Sequence, residues 1–294
     1  MADSDHPSKD IDRLWDYQDP AGTRTQFHEL LASHALKDDP AFRAEVLTQI
    51  ARTHGLEQNF DAGHQTLDEA DALTTDQTPR PRVRSLMERG RLHDSSGNPK
   101  QSIPFFEKAL TLAKDTGLEP LAVDAAHMLG IVCEGDAALT WTEHALKLAD
   151  EATHPDARAW RGTLYNNLGW TYHKGNRHED ALRMFEQSLQ AETDAGHTKY
   201  IAIARWSIAK MQRFLGQPEQ AIQTQEELLE GPDRQNNASE GYTREEIGEC
   251  LLILGRNHEA APHFARAWEL LHTDRWLQRD EPDRLERLRR LGKA

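Results

Sequence analysis

Small apolar residues recur along the chain at a nearly constant spacing. They are separated by 39 or 40 residues and stand at Ala51, Gly90, Gly130, Gly169, Ala209 and Gly248. A second small residue follows twelve positions after most of these anchors, at Gly63, Ser102, Ala181, Ala221 and Ala260. A fixed period of this length is typical of repeat architectures, in which each unit stacks on its neighbours.

Twelve residues exceed one helical turn and suit a helix, a tight turn and a second helix. The turns are written as SSGNP, KGNR, FLGQP and ILGRN. Gly or Asn can adopt positive φ there, and Pro can begin the next helix. Each period is therefore predicted to be a helical hairpin.

The unit that begins near Tyr165 resembles the tetratricopeptide repeat. The matching positions are Tyr165, Leu168, Gly169, Tyr172, Ala181, Phe185 and Ser188, the last being Ser where the family has Ala. Other units fit less completely, because about four residues are missing after Gly130 and Gln225 replaces an aromatic residue. The resemblance covers roughly residues 41–271, and its long period is similar to that of kinesin light chains and bacterial signalling regulators.

This resemblance implies an all-α fold, a right-handed α-solenoid of about six hairpins. Residues 1–40 are predicted to form an N-terminal tail and a degenerate capping hairpin that contains Ile11 and Phe27. Residues 41–271 form the solenoid, and residues 272–294 form a C-terminal capping helix. Atypical terminal units of this kind shield the ends of repeat arrays.

Composition narrows the class of partner. The chain has 294 residues and a formal net charge of -14, so a general attraction to nucleic acid or to anionic membranes is not expected. We expect no membrane span, no secretory signal and a cytoplasmic protein. Cys133 and Cys250 suit neither a disulfide framework nor a cysteine metal site, and no cofactor or metal is expected.

One face of the first helix in each repeat carries the candidate binding residues. Leu168, Gly169 and Tyr172 share the side that packs on the partner helix, so Asn166, Trp170 and His173 lie opposite. The resemblance implies that this opposite face lines a concave groove, and that Asn167 holds the backbone of an extended peptide. The same offsets collect a groove set of Arg52, Arg84, Met87, Arg91, His127, Asn166, Asn167, Trp170, His173, Trp206, Lys210 and Arg213.

Each part of this set has an alternative interpretation. Trp170 and Trp206 are either aromatic anchors for a ligand or side chains buried between units. The basic residues fit an acidic partner or a carboxylate clamp, and the alternative is local salt bridging with Glu88, Asp124 and Glu134. The shortened hairpin after Gly130 either opens a pocket near His127, Asp124 and Trp170 or is a tolerated deletion.

The pattern favours a non-catalytic scaffold that binds a peptide segment or a partner helix in the groove. A sensory domain for a signalling peptide or a small ligand is the alternative. An enzyme with an acid-base pair, His127 with Asp124 or His173 with Glu134, is a third hypothesis. The segment HEAAPH, residues 258–263, has one residue too many for the zinc motif H-E-x-x-H, so its two imidazoles diverge on a helix.

Overall fold

The computed structural model describes residues 11, 13–32, 39–231 and 237–293. Within those ranges the regular structure is helical and contains no strand. The all-α prediction is confirmed. Within the predicted N-terminal tail and capping hairpin, residues 1–40, positions 1–10, 12 and 33–38 lie outside the described residues.

The chain divides into two compact units, and the first ends at Trp160. Its helices are α1 (Pro20–Ala32), α2 (Pro40–Leu56), α3 (Phe60–Asp71), α4 (Pro79–Ser95), α5 (Pro99–Asp115), α6 (Glu119–Val132), α7 (Gly135–Glu151) and α8 (Pro155–Arg158). Three hairpins follow one another in the described part of this unit, α2 with α3, α4 with α5 and α6 with α7.

The second unit begins at Arg161. Its helices are α9 (Arg161–Lys174), α10 (His178–Ala195), α11 (Thr198–Phe214), α12 (Pro218–Glu230), α13 (Asn237–Ile253), α14 (Asn257–Leu271), α15 (Arg275–Asp280) and α16 (Pro282–Leu291). Three more hairpins, α9 with α10, α11 with α12 and α13 with α14, bring the described total to the predicted six.

The anchor residues are small because a buried side chain of the second helix presses on them. A Cβ atom on Gly169 would lie 2.6 Å from the ring of Phe185, and the same contact joins Gly90 to Phe106. Both phenylalanines are fully buried. A glycine lets the two helices of a hairpin approach closely, so the repeat spacing reflects core packing.

The shortened third hairpin keeps this contact with a different spacing. A Cβ atom on Gly130 would lie 2.6 Å from Oγ1 of Thr142, twelve residues later, whereas Phe185 follows Gly169 by sixteen. The four missing residues therefore come from the turn. Helix α6 ends at Val132, and Gly135 has a φ of 58° where α7 begins.

The predicted turn residues adopt the left-handed backbone conformation. Gly97, Gly216 and Gly255 have φ values of 83°, 77° and 72°, and Asn176 has a φ of 57°. In KGNR the asparagine takes this role, and the preceding glycine does not. Asn is among the few residues with a side chain that tolerate this region.

Both ends of the chain contribute to a buried core. Ile11 and Phe27 are fully buried in one cluster with residues of α2. At the other end, Leu277 and Leu288 are buried against residues of α14. The C-terminal segment forms two helices, α15 and α16, where the sequence predicted one, because Glu281 leaves the helical conformation immediately before Pro282.

Candidate functional site

The predicted groove arginines of the first unit are held by carboxylates of the same unit. Arg91 contacts Asp124 at 2.6 Å and also pairs with Glu88, which receives Arg52 at 3.6 Å. Burial would raise the pKa of the Asp124 carboxyl, but the Arg91 guanidinium reverses this and lowers it. Arg52 also lies over the rings of Trp15 and Tyr17, with distances of 5.6 and 5.5 Å to their centres.

Arg84 and Met87 are part of the interior of this unit. The Arg84 side chain pairs at 2.8 Å with Glu45, which is 1% exposed and also binds Arg80. Met87 is 1% exposed, so its side chain offers no surface to a ligand. The Arg84–Glu45 ion pair therefore joins α4 to α2.

The His127 ring meets that of Trp160 at a tilt of 51°. Its ring centre lies 5.2 Å from that of Trp160, and burial is the main cause that lowers the pKa of its imidazole. The Asp124 carboxylate, its proposed partner, receives a hydrogen bond from Arg91. The second hypothetical pair divides between the units, since Glu134 belongs to the first and His173 to the second.

In the second unit one buried carboxylate binds both members of the basic pair. The Glu246 side chain is 3% exposed and receives Lys210 Nζ at 2.7 Å and Arg213 Nε at 2.8 Å. Burial would raise the pKa of Glu246, but the two cations outweigh it and lower the pKa. Local salt bridging is therefore the interpretation that the structure supports for the basic residues of the groove set.

The two tryptophans lie side by side on α9 and α11. Their ring centres are 6.0 Å apart. The ring centre of Trp206 also lies 6.4 Å from that of Tyr242 on α13. Behind them, Trp170 packs edge-on against buried Phe185 at 5.1 Å. Both tryptophans are half-buried, so each is supported by the core and still presents part of its ring.

A cavity of about 690 Å³ opens beside these rings. Apolar and aromatic side chains predominate in its lining, which consists of Trp170, Lys174, Ala202, Ile203, Trp206, Lys210, Leu228, Leu229, Ser239, Glu240, Tyr242, Thr243, Trp276, Glu281 and Arg284. Ile203 and Trp276 remain 38% and 49% exposed, so apolar surface reaches the mouth. Concave, mostly apolar sites of this size are typical for ligands.

The two asparagines lie outside this lining. Asn166 Nδ2 is 3.5 Å from Oδ1 of Asn167, and both side chains are half-buried on α9. His173, three residues after Trp170, contacts its ring at 5.6 Å and that of Phe214 at 4.8 Å. Burial is the main cause that lowers the pKa of His173, followed by Lys210.

Two family models for the tetratricopeptide repeat match residues 83–116 and 120–194. The chain therefore contains tetratricopeptide repeats in these two segments. Comparison with curated proteins found no sequence match. Among the described residues of this repeat protein, no helix is long and apolar enough to cross a membrane, and no cluster of three or more His, Cys, Asp or Glu side chains is placed to hold a metal ion.

Solved structures similar to this repeat protein share its fold at low sequence identity. A signal transduction ATPase from Pyrococcus horikoshii with a tetratricopeptide repeat sensor has a TM-score of 0.72 at 13% identity, over 91% of this chain and 42% of its own. The apo quorum sensor NprR from B. thuringiensis has a TM-score of 0.62 at 16% identity, over 97% and 80%. NprR with its cognate peptide NprX gives 0.51 at 16% identity, over 100% and 91%.

Several cavity residues of the repeat protein were not in the predicted set. Tyr242 lies six residues before the last anchor, and Trp276 and Arg284 belong to the C-terminal helices. The groove set was predicted by applying the sequence offsets of one repeat to the others. This procedure identifies only equivalent positions in other repeats, and the C-terminal helices have no such positions. The exposed tryptophan in DRWLQRD was the available signal, since a large aromatic residue in a polar segment is unusual for a simple cap.

Proposed function

We propose that this repeat protein is a non-catalytic interaction module and that its second unit binds a peptide segment or an amphipathic helix of a partner protein. The cavity beside Trp170 and Trp206 carries the proposal. It combines aromatic faces from four helices with a mouth that is partly apolar. Aromatic side chains at the centre of an interface contribute most of the binding energy in many complexes.

The charges around this cavity support an apolar anchor. Nearly all charged lining residues pair within the unit, namely Lys210 with Glu246, Arg284 with Glu245 and Glu281, and Glu240 with Arg244 and Arg266. Two of the cations also cover ring faces, Lys210 over Trp206 at 5.0 Å and Arg284 over Tyr242 at 5.3 Å. A cationic ligand would compete with these internal cations, whereas an apolar side chain would not.

Lys174 differs from the other charged lining residues. It is exposed at the end of α9 and makes no ion pair with another described residue. An acidic group next to the apolar anchor of the ligand would therefore find one available cation. The proposed partner is a segment with a bulky apolar side chain and a neighbouring carboxylate, which is narrower than a generally acidic partner.

Asn167 remains a proposed backbone contact for a segment that continues along α9. Its amide can both donate to and accept from a peptide bond. Because it is outside the cavity lining, its contribution should be smaller than that of Trp206. The two contributions can be separated by single substitutions.

Affinity capture from native lysate tests the proposal with three baits, wild type, Trp206→Ala and Trp141→Ala. Trp141 is half-buried on α7 in the first unit and serves as the matched control. Loss of an aromatic anchor should cost about 2 kcal/mol or more, roughly 30-fold in affinity. A partner that Trp141→Ala retains and Trp206→Ala loses supports the cavity, and equal retention by all three baits would refute it.

A sensory role for a small ligand is the second candidate function. The volume of about 690 Å³ supports it, since pockets for small molecules span roughly 300–1,000 Å³. Native mass spectrometry of protein purified from its own cells distinguishes the two. A stoichiometric small-molecule adduct that disappears in Trp206→Ala favours the sensor, and an adduct-free protein that captures a partner favours the interaction module.

A further inference from the structure

Two histidines outside any metal-binding sequence motif meet at the turn between α9 and α10. His173 is the penultimate residue of α9, and His178 is the first residue of α10. Their Nδ1 atoms are 3.3 Å apart. The turn is fixed by a backbone hydrogen bond from Asn176 to His173 and by the positive φ of Asn176.

This separation matches two ligands of one metal ion. Zinc–imidazole bonds are about 2.0–2.1 Å long, and tetrahedral coordination then places two nitrogens about 3.3–3.4 Å apart. We propose that His173 and His178 bind a divalent transition metal ion of the Zn²⁺ or Cu²⁺ class through their Nδ1 atoms. Water occupies the other coordination positions, because the described residues provide no third protein ligand at this place.

The surroundings hold the two rings in place. Phe214 stacks on His178 with ring centres 4.7 Å apart and meets His173 edge-on at 4.8 Å. Trp170 contacts His173 from the cavity side at 5.6 Å. Ligands on rigid, packed elements lose little entropy when they bind a metal, so the pair is preorganised.

The contact between the two Nδ1 atoms sets the proton balance of metal binding. Without metal, one Nδ1–H donates to the other Nδ1. On metal binding this hydrogen moves to Nε2 through solvent, a change of tautomer with no net loss of a proton.

The charged groups nearby predict moderate affinity. Lys210 and Arg213 face the pair from α11, and both bind Glu246 of α13, which cancels one of their two charges. Arg177, inside the turn, pairs with Asp180 and lies over the ring of Tyr172 at 4.2 Å. The remaining positive charge weakens attraction for the metal without abolishing it.

Trp170 makes the site observable. A Cu²⁺ ion bound by the pair would lie close enough to quench the fluorescence of Trp170 and of Trp206 beside it. The experiment titrates CuCl₂ into the full chain without a histidine tag and records tryptophan fluorescence. Wild type is compared with His173→Ala/His178→Ala, with His178→Gln alone, and with His64→Ala/His93→Ala.

The last variant is the matched control. His64 and His93 also form a ring pair, with centres 5.1 Å apart, but lie in the first unit and have no nitrogen–nitrogen contact as close as that of the proposed site. We expect saturable quenching in wild type and in this control. Removing either ligand should weaken binding at least about tenfold, as the loss of even an outer-shell partner does. His178→Gln keeps a polar side chain at this position. It tests the same ligand if the double variant does not fold.

Two further measurements identify the place and the class of ion. Trp170→Phe should reduce the amplitude of quenching and leave the midpoint unchanged. Zn²⁺ should displace Cu²⁺ and restore fluorescence, whereas Mg²⁺, which prefers oxygen ligands, should not. Equal midpoints in wild type and folded His173→Ala/His178→Ala would overturn the proposal, as would a loss of quenching in His64→Ala/His93→Ala.

Discussion

Replacing Glu246 with Gln tests the conclusion that the basic pair of the second unit is structural. The substitution keeps the shape of the side chain and removes the charge that binds Lys210 and Arg213. Breaking a buried ion pair by removing one partner costs about 3–5 kcal/mol. The cations are 17% and 13% exposed and Gln still accepts a hydrogen bond, so we expect about 3 kcal/mol, the lower end of that range.

The pH dependence of this loss follows from the pKa of Glu246. Burial opposes ionisation, but Lys210 and Arg213 lower the pKa below its ordinary value of 4.5. The stability that Glu246 contributes is therefore fully present above pH 4.5 and is lost as the pH falls through the folded-state pKa. The difference between wild type and Glu246→Gln should be constant from pH 7 down to about 5 and should shrink below 4.5.

Urea unfolding followed by circular dichroism measures the free energy, and hydrogen exchange of α11 and α13 locates the loss. Glu226→Gln is the control, because Glu226 is exposed on α12 of the same unit. It should change stability by less than about 0.5 kcal/mol. A cost below about 1 kcal/mol for Glu246→Gln, or a difference that persists undiminished at low pH, would refute the reasoning.

Three further outcomes check other parts of the structure. Phe185→Ala empties a fully buried position and should cost about 3–5 kcal/mol in urea unfolding, whereas Phe214→Ala, 42% exposed, should cost far less. Burial raises the pKa of Cys250 to about 12, so at pH 8 a thiol reagent should modify it only after unfolding and should modify half-buried Cys133 sooner. Gly97→Ala should cost about 1 kcal/mol because its φ is 83°, although no atom lies within 4 Å of the new methyl group, and equal thermal stability would contradict this.

The repeats could be predicted because packing imposes them at fixed spacing. Gly169 must be small because the large side chain of Phe185 contacts it across the hairpin. Turn residues such as Asn176 and Gly216 were predictable for the same local reason. The shortened hairpin was also visible, because Gly130 and its contact Thr142 are four residues closer than the equivalent pairs.

The site was less predictable because its residues come from different repeats and from the cap. A helical offset shows which face a residue occupies but does not show what lies beside it one repeat later. Met87 had the predicted offset and is buried all the same. The pair of His173 and His178 was overlooked for a related reason. Five positions along a continuous helix separate two imidazoles, but a turn lies between these two and brings them together.

The residue directly after an anchor forms an ion pair with the next repeat in some units and a ring contact in another. Arg52 and Lys210 stand there in two repeats, and each pairs with a carboxylate 36 residues later, Glu88 or Glu246, two places before the next anchor. A charged side chain that forms an ion pair with the following repeat stabilises the packing of the two repeats. It would have to break that ion pair to bind a ligand. Trp170 also follows its anchor directly, but the residue 36 places later is Trp206, three places before the next anchor, and the two side chains meet as rings and not as an ion pair. A ligand that contacts the rings of Trp170 and Trp206 breaks no ion pair between these two residues. We therefore expect the partner to bind at this pair of rings.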